Sequence, residues 1–289
     1  MTGDHDVGRL LVSCPDRPGI VAALTTVLAG AGANIIESQQ HSTDPSGGRF
    51  FLRLEFVLEG FSDHIDALRA EIATVAERFA MDWRMTHPSD IQRMAIFVSR
   101  FDHALQELLW RSHARDLAVD IRLIASNHPD LEPLAKTFGI PFHHVPSVPG
   151  ERELSEAVLL DLVRDEVDVI VLARYMQILT PQFLRAFGGP IINIHHSFLP
   201  AFVGADPYRA AFERGVKLIG ATAHYVTDEL DAGPIIDQDV HRVDHAHSIE
   251  DLRRVGRLVE RNVLARAVAW HLDDRVLVHA NKTIVFPGP

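Results

Sequence analysis

The chain is short of the residues that hold several protein classes together. Among 289 residues there is a single cysteine, Cys14, which excludes an internal disulfide framework and any cysteine-rich zinc site. Tryptophan and tyrosine number only three each. No apolar run approaches the ~18–20 residues needed to span a bilayer, and the opening MTGDHDVGRL lacks the pattern of a signal peptide. Basic residues are also in deficit, 28 against 39 acidic, so the net charge of -11 argues against nucleic acid as the main partner. Apolar residues at 47% and charged residues at 23% are ordinary globular usage. The chain therefore reads as soluble, cytoplasmic and enzymatic. At roughly 150 residues per domain its length suits two domains.

The pattern divides accordingly. Over residues 9–86, RLLVSC reads as a strand, followed by a helix through IVAALTTVLAGAG that Asp16 caps and Pro18 enters. ANIIESQQHS and RFFLRLEFVL read as strands around a DPSGG turn, then come a helix over 62–79 and the strand MDWRM. That βαββαβ order is ferredoxin-like, two helices on one face of an antiparallel sheet. THPSDIQ lacks apolar periodicity, which gives a first domain over 1–86, a linker over 87–92 and a second domain over 93–289. In the second, MAIFV, VDIRLIA, PFHHV, VDVIVLA and PIINI are apolar strands alternating with amphipathic helices. This is the pattern of a doubly wound, mainly parallel α/β sheet.

In such sheets ligands bind beyond the carboxyl ends of the strands. There, NIHHSFLPAFVG (193–204) sets Asn193 and His195 two apart, on one side of a strand, with His196 on the other. An amide beside an imidazole offers hydrogen-bond donors to a carbonyl oxygen that gains charge under attack. Turn chemistry accounts for the same residues equally well. HYVTDELDAGPII (224–236) adds three carboxylates, Asp228, Glu229 and Asp231, any of which suits a partner for His195; a solvated acidic turn explains them too, and spacing does not choose among them. His241, His245 and His247 have a metal-compatible spacing without a supporting motif. His143–His144 and Asn127–His128 flank strand ends. DRPG offers helix amides to an anion or is simply a cap.

NIHHSFLPAFVGADPYRAAFERGVKLIGATAHYVTDELDAGPIIDQDV resembles the core of the folate-dependent formyltransferase family. The doubled histidine, SNHPDL and FGIPFHHVP make the chain most similar to that family's deformylase branch. CPDRPGIVAALTTVLAGAGANI resembles an ACT domain. The resemblance covers nearly the whole chain. It implies hydrolysis of 10-formyltetrahydrofolate to formate and tetrahydrofolate, supplying formate for purine biosynthesis and balancing the one-carbon folate pool. By motif, Asn193, His195 and Asp231 match the catalytic residues. Met176, Gln177 and Leu179, with Val226, Thr227 and Asp228, match the pterin pocket. Asp16, Arg17, Pro18, Gly19 and Asn34 match an effector site for glycine or methionine. The resemblance implies no cofactor, metal, nucleic acid or membrane, and it implies a homo-oligomer. Asp206 stands where the branch commonly has arginine.

A glycine-rich loop after the first strand cradles the acceptor's phosphate in the transferases; here FVSRFDHALQELLW (97–110) has no glycine, which favours water as acceptor. Arg100, Arg174, Arg209 and Lys217 are donors available to an anionic folate tail, each also explicable as ordinary surface. Two alternatives remain at this level, a transferase acting on an amine and a non-catalytic amino-acid sensor.

Overall fold

A computed structural model describes residues 6–44, 46–87, 89–147, 150–199 and 207–288. The chain divides into two compact units: Met1–Ile91 with Asp273–His279 and Ile284–Pro289, and Gln92–Leu272 with Ala280–Thr283. The sequence division placed everything from Arg93 onward in the second domain, whereas the C-terminal segments cluster with the first unit.

In the first unit, β1 (Val7–Pro15), β2 (Asn34–Ser42), β3 (Arg49–Val57) and β4 (Asp82–Thr86) form an antiparallel sheet in the order β2-β3-β1-β4. This is the expected βαββαβ arrangement. α1 (Ile20–Gly30) turns Ile20, Leu24 and Leu28 inward at four-residue spacing, and α2 (Phe61–Phe79) does the same with Leu68, Ile72, Ala76 and Phe79. All but Ala76 cluster with Leu10, Val12, Leu52, Leu54 and Phe56 of the sheet.

Asp16 is not the helix cap expected from sequence. Gly19 occupies that position at φ 94, and its carbonyl accepts the Ala23 amide. The Asp16 carboxylate instead accepts a hydrogen bond from the Ser42 hydroxyl. A side chain engaged across the sheet cannot also turn back to the helix amides.

Arg53 lies in the middle of β3 with its side chain fully buried. Its guanidinium pairs with Glu37 and with Glu55 Oε2 at 2.7 Å, and donates to the carbonyls of Asp274 at 3.1 Å and Asp273 at 3.3 Å. The buried charge is thus matched on every side, and the two carbonyl contacts tie Asp273 and Asp274 to this unit. Removing one partner of a buried pair strands the other, so Arg53→Ala should destabilise the unit by about 3–5 kcal/mol. Calorimetric Tm tests this, and an unchanged Tm would show that Arg53 is dispensable.

The second unit carries β5 (Gln92–Val98), β6 (Val119–Ser126), β7 (Phe142–His144), β8 (Val169–Leu172), β9 (Ile191–His195), β10 (Leu218–Tyr225) and β11 (Ile235–Arg242). Their order is β11-β10-β9-β8-β5-β6-β7; β5 to β9 run parallel, whereas β10 and β11 are antiparallel additions. From β5 the chain winds one way to β6 and β7, then returns to β8 on the other side of β5. The strand order therefore reverses between β5 and β8, the position beyond whose carboxyl ends sheets of this kind bind ligands. α3 (His103–His113) follows β5, α5 (Arg152–Val163) precedes β8, α6 (Pro181–Phe187) follows it, and α4 (Glu132–Thr137) and α7 (Pro207–Arg214) are short connectors. α8 (Ile249–Leu272) packs against β9, β10, β11, α3 and α7. The remaining strands, β12 (Val276–His279) and β13 (Lys282–Val285), pair with each other. Among the described residues no helix is long and apolar enough to cross a membrane.

Candidate active site

β9 is buried at Ile192 and Ile194 and partly open at Asn193 and His195, the alternation a strand imposes. The antiparallel pairing with β10 sets Asn193 opposite His224 and His195 opposite Thr222. His224 is 2% exposed. Its Nδ1 lies 2.9 Å from the Tyr225 carbonyl oxygen, which only accepts, so Nδ1 carries the proton. In the neutral ring the opposite nitrogen, Nε2, is then an acceptor, and the Asn193 Nδ2 donates to it at 3.2 Å. One N–H of the Asn193 amide is held in this way and the second remains for a ligand.

Asp231 arrives from the loop after β10 in the left-handed region, at φ 53, a conformation aspartate tolerates better than most residues. The loop needs Gly233 for a different reason: a Cβ there would lie 1.8 Å from the Tyr225 carbonyl oxygen. This close approach seats the Asp231 carboxylate between two imidazoles, Oδ2 3.3 Å from His195 Nδ1 and Oδ1 3.6 Å from His224 Nε2. Hydrogen bonding from His195, the largest of its contacts, outweighs partial burial and holds this carboxyl well below the usual range. It is ionised throughout the neutral range. With Nδ1 of His195 turned to the carboxylate, its Nε2 faces away from Asp231. The cluster combines an ionised carboxylate, a mobile-proton ring and a fixed amide donor, the parts needed to attack and polarise a carbonyl.

Spacing left three acidic candidates open, and geometry separates them. Asp231 meets the histidines, Asp228 pairs with Arg185 at 3.7 Å, and the Glu229 carbonyl accepts from the Thr227 hydroxyl. His196 departs from expectation. The strand ends at His195, so His196 does not continue the alternation and its ring lies 5.3 Å from that of His195, tilted by 31°.

The Met176 amide donates to Ser99 Oγ at 3.0 Å and its side chain is exposed. Gln177 Oε1 accepts from Ser147, and Leu179 is buried in the core. The Val226 amide donates to the Ile191 carbonyl, and Thr227 and Asp228 are exposed. Asn127 accepts from Ser99 Oγ at 2.6 Å. In the other unit Asp16 is half-buried, Arg17, Pro18, Gly19 and Asn34 are exposed, and the Arg17 guanidinium stands 5.4 Å from the Phe79 ring centre. Arg100, Arg209 and Lys217 are exposed, but Arg174 is buried and no surface donor. His247 pairs with Asp244 at 2.8 Å, and among the described residues no three ligand-type side chains converge on a metal position. Asp206 lies outside the described residues.

A formyl transferase family model matches residues 92–268, and an ACT domain model matches residues 8–73. The formyltetrahydrofolate deformylase of Bacillus subtilis (strain 168) is 56% identical over 285 residues, covering 98% of this chain and 95% of that protein. The protein of the same name from Mycobacterium tuberculosis (strain ATCC 25618 / H37Rv) is 55% identical, covering 97% and 91%. The chain belongs to the formyltetrahydrofolate deformylase family. A crystal structure of the family from Pseudomonas syringae pv. tomato superposes with a TM-score of 0.93 at 50% identity, covering 97% of this chain and 94% of that one.

His224 was not legible as a site residue, although a histidine in the otherwise apolar ATAHYV strand is the signal that could have found it. Its role yields a test. His224→Phe fills the same buried space but offers Asn193 no acceptor. The turnover number should fall about 10²-fold while Tm changes little, the scale seen when one preorganised donor is lost. Full turnover in this variant would remove His224 from the site.

Proposed function

We propose that the chain hydrolyses 10-formyltetrahydrofolate to formate and tetrahydrofolate, with Asn193, His195 and Asp231 as the catalytic residues. The observation that carries this reading is the ionised Asp231 carboxylate held between His195 and His224, with Asn193 fixed alongside. The names of the relatives and the resemblance of the motifs support the same substrate.

In the reaction, Asn193 and His195 donate to the formyl oxygen as it becomes an oxyanion. Asp231 orients the attacking water. A carboxylate of depressed basicity does not deprotonate free water. It takes a proton from water already bonding to the formyl carbon, where that proton has become strongly acidic. As the new C–O bond forms and the C–N10 bond breaks, its electron pair goes to N10. The proton from water passes through the Asp231–His195 pair to N10. The formic acid produced loses its own proton to solvent and leaves as formate.

Water is the acceptor in this reading because β5 runs into α3 through residues 99–102 without a glycine, and a phosphate cradle needs close backbone approach. The pterin is assigned to Met176, Gln177 and Leu179 on one wall and Val226, Thr227 and Asp228 on the other. Exposed Arg100 and Lys217 are cations assigned to an anionic tail, and Arg209 is a further exposed arginine. The released formate would feed purine synthesis and the split between formyl-tetrahydrofolate and tetrahydrofolate would set the one-carbon pool, in the cytoplasm. The ACT unit is assigned an amino-acid effector, glycine or methionine, bound near Asp16, Arg17, Pro18, Gly19 and Asn34. Pairing between copies is assigned to the ACT sheet, whose edge strand β2 exposes Ile36.

The test is formate release from 10-formyltetrahydrofolate by the purified protein with no amine present. Turnover should be clear and should fall by at least about 10³-fold in Asp231→Asn, which keeps size and fold but loses the charge. Turnover that appears only after an amine acceptor is added would make the chain a transferase, and near-normal turnover in Asp231→Asn would remove that residue from the mechanism.

A further inference from the structure

A second buried polar cluster adjoins the catalytic residues and has no part in the steps above. Arg174 follows β8 at the point where the strand order reverses. It is 8% exposed and held at φ 63, an uncommon conformation for arginine. The Phe101 ring covers one face of its guanidinium at 4.9 Å. Its Nε sits 3.4 Å from Glu260 Oε2 without hydrogen-bond alignment, and neither Nε nor Nη1 has a hydrogen-bond partner among the described residues.

Glu260 cannot fully satisfy this charge because it is already engaged. His103 Nε2 lies 2.9 Å from its Oε2, and the Tyr208 hydroxyl donates to Oε1 at 2.6 Å. Burial pushes the Glu260 carboxyl up, but the His103 contact and the charge of Arg174 outweigh it and hold it below the ordinary value. The packing around this pair is specific. A Cβ at Gly256, one turn before Glu260 on α8, would lie 2.0 Å from the Tyr208 hydroxyl oxygen, so the glycine makes room for that bond.

His196 joins the cluster to the catalytic residues. Its ring is 6.3 Å from Tyr208 and 5.3 Å from His195. Burial, then the charge of Arg174, lowers its pKa to about 4, so it stays neutral at pH 7 and adds no competing cation.

We propose that Arg174 is the binding residue for a small planar carboxylate, the formate released at the Asn193–His195–Asp231 cluster. A buried guanidinium whose Nε and Nη1 lack hydrogen-bond partners is matched by a small planar anion. Ionised Asp231 repels formate from the place where it forms, and the neighbouring cation receives it. This inference rests on the proposed hydrolysis.

The experiment follows 13C-formate by NMR line broadening on the full-length protein, together with formate inhibition of 10-formyltetrahydrofolate turnover. Formate should broaden on the wild-type protein. Nitrate, planar and similar in size, should displace it, and tetrahedral phosphate should not. Arg174→Gln should weaken formate binding about tenfold or more, the loss of a charge-assisted pair, with Arg174→Lys intermediate because it keeps charge without the fork. Unbroadened formate on the wild-type protein, displacement by phosphate rather than nitrate, or equal formate binding in Arg174→Gln would each overturn the inference. The wild-type displacement decides the matter if the variants do not fold. Absent hydrolysis with Arg174-dependent formate binding would instead count against the proposed function alone.

Discussion

The Asp231 carboxylate is held between two imidazoles, and the rest of the second unit can be understood as the means of holding it there. A charge seated in a partly buried position needs partners with fixed hydrogen positions. His195 supplies one from the last residue of a parallel strand. His224, its tautomer fixed by the Tyr225 carbonyl, holds the Asn193 amide beside it. The loop that delivers Asp231 turns on a left-handed backbone and on a glycine approach too close for any side chain. Each device is local, yet each depends on the β9–β10 register, since a slip of one residue would send Asn193 and His195 to the opposite face.

The two polar clusters differ in how completely they are matched. In the first unit Arg53 has a carboxylate or carbonyl for each part of its guanidinium and serves the fold. In the second unit Arg174 retains unpartnered nitrogens just past β8, where the strand order reverses. Two buried arginines of one chain therefore carry different expectations: a saturated one stabilises, and an unsaturated one at a strand end is disposed to bind.

Much of the architecture was legible in the sequence because it is written in periods. Alternation marked β3, four-residue spacing marked α1 and α2, and apolar runs with helical intervals marked the parallel strands. Asn193 and His195 were legible because two residues apart on a strand share a side. What failed to show depends on contacts between distant residues. His224 meets Asn193 across 31 positions through strand pairing, and Asp231 was separable from Asp228 and Glu229 only by motif until its loop was placed. Glu260 lies within an amphipathic helix, where a glutamate reads as surface, and Arg174 reads the same way in a loop. Asp16 fits a capping pattern and was claimed by Ser42 instead. In each case a non-local partner overrode a sound local expectation.

Whether His195 keeps Asp231 ionised can be measured directly. Aspartate labelled at the carboxyl carbon, with Asp231→Asn used to assign the resonance, would report the titration by 13C NMR. Asp231 should not titrate through the ordinary carboxylate value of about 3.9, and should shift toward that value when His195 is replaced by Phe. A carboxylate that titrates at or above the ordinary value in the wild-type protein would contradict that role of His195.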